Sequence, residues 1–269
     1  MRKNVLLMAL FAAAGLVSAA ENVYNAPEKW SAMHPRIKYQ PEDKGDGILG
    51  VSGYYFIYSD PAVKFSPEKK YRMTGSFRKA GEDPASIYFG LAFFDEKGRR
   101  FDLANSNVLP KSDTEVIAEA KKGDTEIRIK DGSAWKNFRG TVIALNTAPD
   151  YSDLPNFNLI RIPIKSVTEA DGGSTVTLTR PLPVNIPAGT TVRLHIPGGT
   201  VYFAANRKVG TDWRKFDSRV FTGISKGAGM GVGGLFPRGT AEFRVLLITN
   251  LGLKKSSTLE FKDVKIIEE

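Results

Sequence analysis

Apolar positions alternate with small or polar ones throughout residues 71–101, YRMTGSFRKAGEDPASIYFGLAFFDEKGRRF. The apolar face of the two runs consists of Tyr71, Met73, Gly75, Phe77, Ile87, Phe89, Leu91 and Phe93. A period of two in both runs, with a Gly/Asp/Pro cluster between them, is typical of a β-hairpin. A further turn is predicted at residues 95–98, because Gly98 stands where a positive φ is easiest. We therefore predict that a β-hairpin organises the fold.

The same alternation predicts strands along most of the remaining chain. Residues 48–59, ILGVSGYYFIYS, predict one long strand with Tyr54, Phe56 and Tyr58 on one face. Further strands are predicted at residues 123–130, 141–146, 159–167, 174–179, 190–196, 201–205, 218–224, 240–250 and 257–267. In the last of these the apolar set passes from odd to even numbers at Asp263, which predicts a β-bulge. Only residues 114–120 predict a helical turn, so the predicted fold class is all-β.

The lengths of these strands divide the chain into two units. Residues 21–118 and 198–269 contain the long strands and predict one β-sandwich. Between them, residues 119–197 hold short strands with Gly, Pro, Asp or Asn in every gap, a pattern typical of a small barrel or meander. We predict that this barrel-like unit is inserted in the sandwich, since both ends of an insertion can meet at a surface loop.

The first twenty residues predict a signal peptide. A basic start with Arg2 and Lys3 precedes an apolar run at 5–17 and small residues at 18–20. The run is too short to span a bilayer, and a buried N-terminal helix is the alternative. Glu21 becomes the first residue of the mature protein, which we expect to be secreted or periplasmic in a bacterium. No later apolar run is long enough to predict a membrane span.

Composition narrows the range of partners. The whole chain has 38 basic and 29 acidic residues, so cleavage after residue 20, which removes Arg2 and Lys3, leaves a net charge of +7. The excess is spread along the chain without a block of like charges, which argues against a nucleic-acid partner. It supports a weak preference for acidic glycans, or solubility alone. Cysteine is absent, so we expect neither disulfide bonds nor a lipidated cysteine.

Several segments together resemble carbohydrate-binding modules with a galactose-binding-like jelly roll. The segments are YYFIYSD, SPEKKYRMTGSFRKAG, IYFGLAFFDEKG, TDWRKFDSRV and STLEFKDVKI. The matching positions are Tyr71, Gly75, Arg78, Gly90, Phe94, Asp95, Gly98, Trp213, Phe216, Asp263 and Val264. The resemblance covers residues 48–101 and 201–269 and implies a jelly-roll β-sandwich. It also implies a secreted, non-catalytic protein that recognises a polysaccharide or surface glycan.

The middle of the chain carries a second, separate resemblance. The pattern GDTEIRIK, then STVTLTRPL, then AGTTVRL is similar to a small β-unit of bacterial and phage surface proteins. We associate no chemistry with that unit.

Such modules bind sugars by stacking aromatic side chains on the apolar faces of the rings, while polar neighbours fix the hydroxyl groups. The candidate binding residues are Tyr54, Tyr58, Tyr88, Tyr202 and Trp213. Each has packing as its alternative role, since half-buried strands favour tyrosine, and the place of Trp213 is one that the family uses for packing.

Many of these modules also hold a structural calcium ion. By resemblance, Asp263 is its candidate carboxylate ligand, and Asp46 is a second candidate in an early loop. A solvated side chain is the alternative role for an aspartate in a terminal strand.

Catalytic motifs are few. The letters GMGVGG at residues 229–234 match GxGxxG, but no helix is predicted after them, so we interpret them as a loop at the sandwich rim. The two histidines are His34 and His195, and neither accompanies a GxSxG motif. His195 alternates with Arg193 on the polar side of its predicted strand.

An enzyme remains the competing hypothesis. A glycan hydrolase or lyase could take its acid and base from the 29 acidic residues, with the loops at 105–153 as the candidate region. At the end of this region, Asp150, Asp153 and Asn156 form a polar loop of the inserted unit, where a turn is favoured over a carboxylate site. A structural cell-surface adhesion protein is the third hypothesis.

Overall fold

Strands and turns make up nearly all of the computed structural model, which describes residues 20–30, 37–42, 45–136, 140–225 and 234–269. Within these ranges the helical elements are three short 3-10 helices, Pro27–Lys29, Leu103–Asn105 and Ser133–Trp135. The predicted all-β class is confirmed. None of the helices described is long and apolar enough to cross a membrane. The predicted signal peptide up to residue 19, His34 and residues 229–233 of the glycine-rich loop lie outside the described residues.

The described chain forms twenty strands. In chain order they are β1 (Ala20–Val23), β2 (Ile37–Glu42), β3 (Gly45–Ser52), β4 (Tyr55–Tyr58), β5 (Val63–Lys64), β6 (Lys70–Ala80), β7 (Ala85–Phe94), β8 (Arg100–Phe101), β9 (Thr114–Glu115), β10 (Glu126–Ile129), β11 (Val142–Leu145), β12 (Leu159–Ile160), β13 (Ile164–Ala170), β14 (Gly173–Leu178), β15 (Thr191–His195), β16 (Val201–Val209), β17 (Arg214–Asp217), β18 (Phe221–Thr222), β19 (Glu242–Thr249) and β20 (Thr258–Glu268).

Two antiparallel sheets face each other and form a β-sandwich. The first sheet has the order β17-β6-β20-β3-β2, with β1 beside β20 and β18 beside β6. The second sheet has the order β16-β7-β19-β4, with β5 beside β19 and β8 beside β7. Neighbours along the chain therefore lie in opposite sheets, in the pairs β3/β4, β6/β7, β16/β17 and β19/β20.

The predicted hairpin is wrong, because β6 and β7 do not pair with each other. Strand β6 pairs with β20 and β17, whereas β7 pairs with β19 and β16. The rings of Phe77 in β6 and Phe89 in β7 are 5.2 Å apart and pack across the core. The alternation identified the apolar face of each strand correctly. The inward faces of both strands are apolar, and opposing them across the sandwich buries both.

The predicted single strand at 48–59 is also wrong. It breaks at Gly53, whose φ is +87°, so that β3 lies in the first sheet and β4 in the second. The backbone N–H of Gly53 donates to the Ser257 carbonyl at 2.8 Å, which holds the bend against the chain entering β20. A positive φ is easy only for glycine, so this residue permits the change of sheet.

The core between the sheets is rich in phenylalanine. Its fully buried rings include Phe77, Phe89, Phe93, Phe221, Phe236, Phe243 and Phe261. The predicted bulge at Asp263 is confirmed, since the register of β20 against β6 shifts between Lys262 and Lys265 and Asp263 has a φ of +53°. The extra residue lets both Phe261 and Val264 point into the core.

The middle of the chain forms two further sheets, β10-β14-β13 and β12-β11-β15-β9. They enclose a separate hydrophobic cluster that includes Val116, Trp135 and Leu194. The helical turn predicted at 114–120 is wrong, because Glu115 pairs with β15 and its carbonyl accepts a hydrogen bond from the N–H of Lys130. Val116 is buried and Glu115 is exposed, so strand alternation and tertiary pairing override the local helical preference.

Candidate functional site

The outer surface of the second sheet carries an aromatic face, defined here as Phe56, Tyr58, Tyr88, Phe94 and Tyr202. Strand alternation creates it, because Tyr55 and Ile57 of β4 point into the core and send their neighbours outward. All five rings are half-buried and pack around the buried side chains of Ala92, Leu246 and Ile248. Three of the candidate tyrosines therefore lie together on one surface.

Register defines the layout of this face. Tyr58 on β4 and Tyr202 on β16 lie in one cross-strand row, with Leu246 and Gly90 between them. Phe56 and Tyr88 lie in the next row, on either side of Ile248. Three strand spacings of about 4.8 Å put the backbones of Tyr58 and Tyr202 roughly 14 Å apart.

The aromatic rings support one another at fixed angles. The centroids of Phe56 and Tyr58 are 5.3 Å apart, and those of Tyr58 and Phe94 are 6.1 Å apart, both edge to face. Tyr88 and Tyr202 are 5.2 Å apart in the same kind of arrangement. Rings held in this way lose little further freedom when a ligand stacks on them.

Gly90 lies between Tyr202 and Leu246 in the cross-strand row of the aromatic face. A Cβ atom at this position would lie 2.1 Å from the carbonyl oxygen of Val201, so only glycine allows β16 to approach β7 this closely. The register of β16 shifts immediately after Tyr202. The ring of Tyr202 also lies close to this position, since its Cδ1 is 3.0 Å from where the Cβ atom would stand.

Arginine adds hydrogen-bond donors to the aromatic face. The guanidinium carbon of Arg100 is 5.2 Å from the ring centroid of Phe56 and 5.9 Å from that of Tyr58. One terminal nitrogen of this guanidinium group donates to Asp102 at 3.0 Å and to Thr200 at 3.2 Å. No local signal marks Arg100 in the sequence, since it follows a turn and reaches the rings of β4 only through the folded sheet.

Two of the phenols have shifted pKa values. Burial raises the pKa of Tyr58 and the pKa of Tyr202 above their ordinary values. Both hydroxyl groups are therefore neutral at physiological pH and can donate and accept hydrogen bonds. Neutral phenols beside a fixed guanidinium group form a surface that offers both stacking and hydrogen bonding.

The other two aromatic candidates lie elsewhere. Tyr54 is 52% exposed and sits in the bend that precedes β4. The half-buried ring of Trp213 belongs to the outer surface of the first sheet, where the guanidinium carbon of Arg78 is 4.5 Å and the Nζ of Lys262 is 4.9 Å from its centroid. The five aromatic candidates thus do not form one site.

The candidate calcium ligands are only partly described. Asp263 is half-buried at the bulge of β20, and Asp46 lies in β3, with its side chain outside the described part of the structure. Within that part, no group of three or more histidine, aspartate or glutamate side chains could hold a metal ion. Calcium stays a prediction.

A second polar cluster lies where the middle of the chain meets the sandwich. We call it the junction network: Asp113, Tyr151, Asp153, Arg193 and His195. Arg193 and His195 form the polar side of β15, opposite Val192 and Leu194, and both are fully buried. The reason is tertiary: residues 104 and 148–153 fold over this side of β15.

Hydrogen bonds in the junction network fix the tautomer of His195. Its Nδ1 lies 2.7 Å from the carbonyl oxygen of Ala104, which can only accept, so Nδ1 carries the proton. Its Nε2 then accepts from the Nε of Arg193 at 3.3 Å. Burial lowers the pKa of His195 to about 4, so this imidazole is neutral at physiological pH.

The carboxylates of the predicted turn are engaged in structure. Asp153 accepts from Arg193 at 2.8 Å and from the side-chain amide of Asn156 at 2.9 Å. Asp150 accepts from the backbone N–H and the hydroxyl of Ser152, and these bonds lower its pKa. A glycosidase general acid needs a raised pKa instead. These two aspartates hold a turn and the junction together.

Two clefts border the junction. The larger, about 740 Å³, lies between the turn at Asp95 and the loop that contains Asp153 and Leu154. The smaller, about 330 Å³, lies between Arg100 and Asp102 on one side and Phe157 and Arg161 on the other. The smaller cleft adjoins the aromatic face, because Arg100 lines the cleft and lies over Phe56 and Tyr58.

Comparison of the chain with models of known protein families and with curated proteins finds no match.

Proposed function

We propose that the protein is a secreted, non-catalytic carbohydrate-binding protein whose aromatic face binds a polysaccharide or surface glycan. The observation that carries this proposal is the position of Tyr58, Tyr88 and Tyr202 on one face of the second sheet. All three rings keep part of their surface accessible to solvent.

The chemistry of the aromatic face suits a sugar ring. The apolar side of a pyranose can lie on a tyrosine ring, and the rigid ring provides contact area at low entropic cost. The hydroxyl groups of the sugar need partners beside that contact, and the phenols of Tyr58 and Tyr202 and the guanidinium group of Arg100 can supply them.

The strand order supports a jelly roll of the galactose-binding-like kind. Eight strands lie in the orders β17-β6-β20-β3 in the first sheet and β16-β7-β19-β4 in the second, as in a double Greek key. We take the segment from β9 to β15, with its own hydrophobic cluster, as the inserted unit. Export through the signal peptide and a structural calcium ion at Asp263 complete the proposal.

Affinity gel electrophoresis of the mature chain against a panel of polysaccharides tests this function. We expect retardation by at least one polysaccharide and a loss of roughly 2- to 10-fold in affinity for Tyr88→Ala and for Tyr202→Ala, the range that one aromatic contact contributes. Trp213→Ala is the matched control on the first sheet. Loss of binding in the Trp213 variant alone would show that the binding site lies on the first sheet. No retardation by any polysaccharide would contradict the function and favour a structural surface protein.

The calcium proposal has its own measurement. A chelator should lower the melting temperature of the mature chain if calcium binds at Asp263, and Asp263→Asn should remove this effect. An unchanged melting temperature would contradict a structural calcium ion.

A further inference from the structure

The smaller cleft, called here the arginine cleft, continues the aromatic face toward the middle of the chain. Its wall on the sandwich side contains Arg100, Asp102 and Asn105, and its opposite wall contains Phe157, Leu159 and Arg161. A chain of sugars that lies over Tyr58 therefore reaches Arg100 and then the cleft.

Positive charges outnumber negative charges in the arginine cleft. Arg161 is exposed and makes no ion pair with any residue that the structure describes. The side chains of Arg100 and Asp102 pair with each other, and both remain 36% exposed. Two guanidinium groups and one carboxylate leave the cleft with an excess of one positive charge.

The other polar and aromatic side chains that line the cleft already have partners, which favours a small anionic ligand group at the arginines over an apolar one. The side chain of Asn105 is already used, since it donates to the Asn156 carbonyl and accepts from the N–H of Asp102. Phe157 is held by Arg99, whose guanidinium carbon is 3.9 Å from the ring centroid. The free donors of the cleft therefore belong to its two arginines, and guanidinium groups bind carboxylate and sulfate with paired hydrogen bonds.

We propose that the glycan bound by this protein is acidic, and that Arg100 and Arg161 bind its carboxylate or sulfate group in the arginine cleft. The inference rests on the proposed function, because the sugar rings are placed on the aromatic face. It goes beyond that function in naming the class of polysaccharide.

Matched pairs of polysaccharides test the charge directly. Polygalacturonate is compared with its methyl ester, and dextran sulfate with dextran, by affinity electrophoresis of the mature chain. We expect at least one acidic member to bind about tenfold or more tightly than its neutral partner, since hydrogen bonds to charged groups are the stronger kind. Added salt should weaken only the acidic member.

A pair of variants separates a specific contact from the net charge. Arg161→Gln should weaken binding of the acidic polysaccharide about fivefold or more, whereas Arg180→Gln, an exposed arginine of the same segment outside the cleft, should leave it within twofold. Equal losses of affinity in the Arg161 and Arg180 variants would contradict a role of the arginine cleft in binding. Equal binding of acidic and neutral partners would overturn the acidic class but keep the glycan function. Absence of binding to all four, with retardation by a neutral member of the wider panel, would also overturn the acidic class, whereas no retardation by any polysaccharide would overturn both.

Discussion

Arg100 and Arg193 both lie against aromatic rings, and their surroundings differ completely. Arg100 lies over Phe56 and Tyr58 with 36% of its side chain exposed. Arg193 lies 4.8 Å from the ring centroid of Tyr151 and is fully buried. Contact between an arginine and aromatic rings thus occurs both at a surface and at a buried junction.

The difference lies in how many donors each arginine has left. All three nitrogens of Arg193 are in use, with Asp113, Asp153, the Ala148 carbonyl and His195 as partners. One terminal nitrogen of Arg100 donates to Asp102 and to Thr200, and Tyr58 is a further side-chain partner, while the Arg100 side chain stays 36% exposed. A buried arginine with every donor satisfied stabilises one arrangement of the chain, whereas an exposed arginine with free donors can bind a ligand.

The largest expected effect follows from removing the buried arginine. Arg193→Met should lower the free energy of unfolding by about 3–5 kcal/mol, because Asp153 is then a nearly buried charge without its partner. Urea unfolding of the mature chain measures this loss. A loss below about 1 kcal/mol would mean that the junction network contributes little to stability.

The second effect concerns Gly90, which lies in the aromatic face. Gly90→Ala should cost about 3 kcal/mol, because the added Cβ would lie 2.1 Å from the Val201 carbonyl oxygen and must displace β16. Urea unfolding measures the cost, and weaker glycan retardation should accompany it since Tyr202 moves with β16. Gly210→Ala, which adds a Cβ with no atom within 4 Å at a glycine without a positive φ, is the control for the loss of a glycine.

The third effect is a dependence on pH through His195. Its pKa falls from 6.5 to about 4 on folding, so the unfolded chain binds the proton more tightly and stability falls as the pH drops below about 6.5. Between pH 7 and about pH 4.5 this histidine should account for a loss of about 2 kcal/mol. Protonation of carboxylates such as Asp153 also lowers the stability at acidic pH. The His195→Gln variant keeps that contribution and lacks the contribution of the histidine, so the difference between the two proteins measures the histidine alone. The same pH dependence in the variant would contradict the buried neutral imidazole.

The smallest effect belongs to the exposed arginine. Arg100→Gln should change the free energy of unfolding by less than about 1 kcal/mol, because its pair with Asp102 is open to solvent. Urea unfolding beside Arg193→Met gives the comparison directly. A loss as large as that of the Arg193 variant would show that Arg100 is a structural residue and would weaken its role in binding.

Residue patterns alone predicted much of the local structure. The inward faces of β6 and β7, the turn at Gly98 and the bulge at Asp263 all follow from side-chain alternation and glycine placement. Strand β17 was missed, since Arg214–Asp217 contains a single apolar residue and pairs with β6 only in the folded sheet. The candidate binding residues were selected because they are aromatic. That criterion could not show that Trp213 lies on the other sheet, away from Tyr58, Tyr88 and Tyr202.

What the sequence by itself determined is the all-β class and the side of each strand that enters the core, because both depend on a period of two within a few residues. Tertiary structure alone decided which strands pair, which sheet each strand joins, and that Tyr58, Tyr88 and Tyr202 share a surface with Arg100. The physical reason is that pairing and burial depend on residues far away in the chain. Strand alternation is the same whether an outward side chain meets solvent, as Arg100 does, or another segment, as Arg193 does.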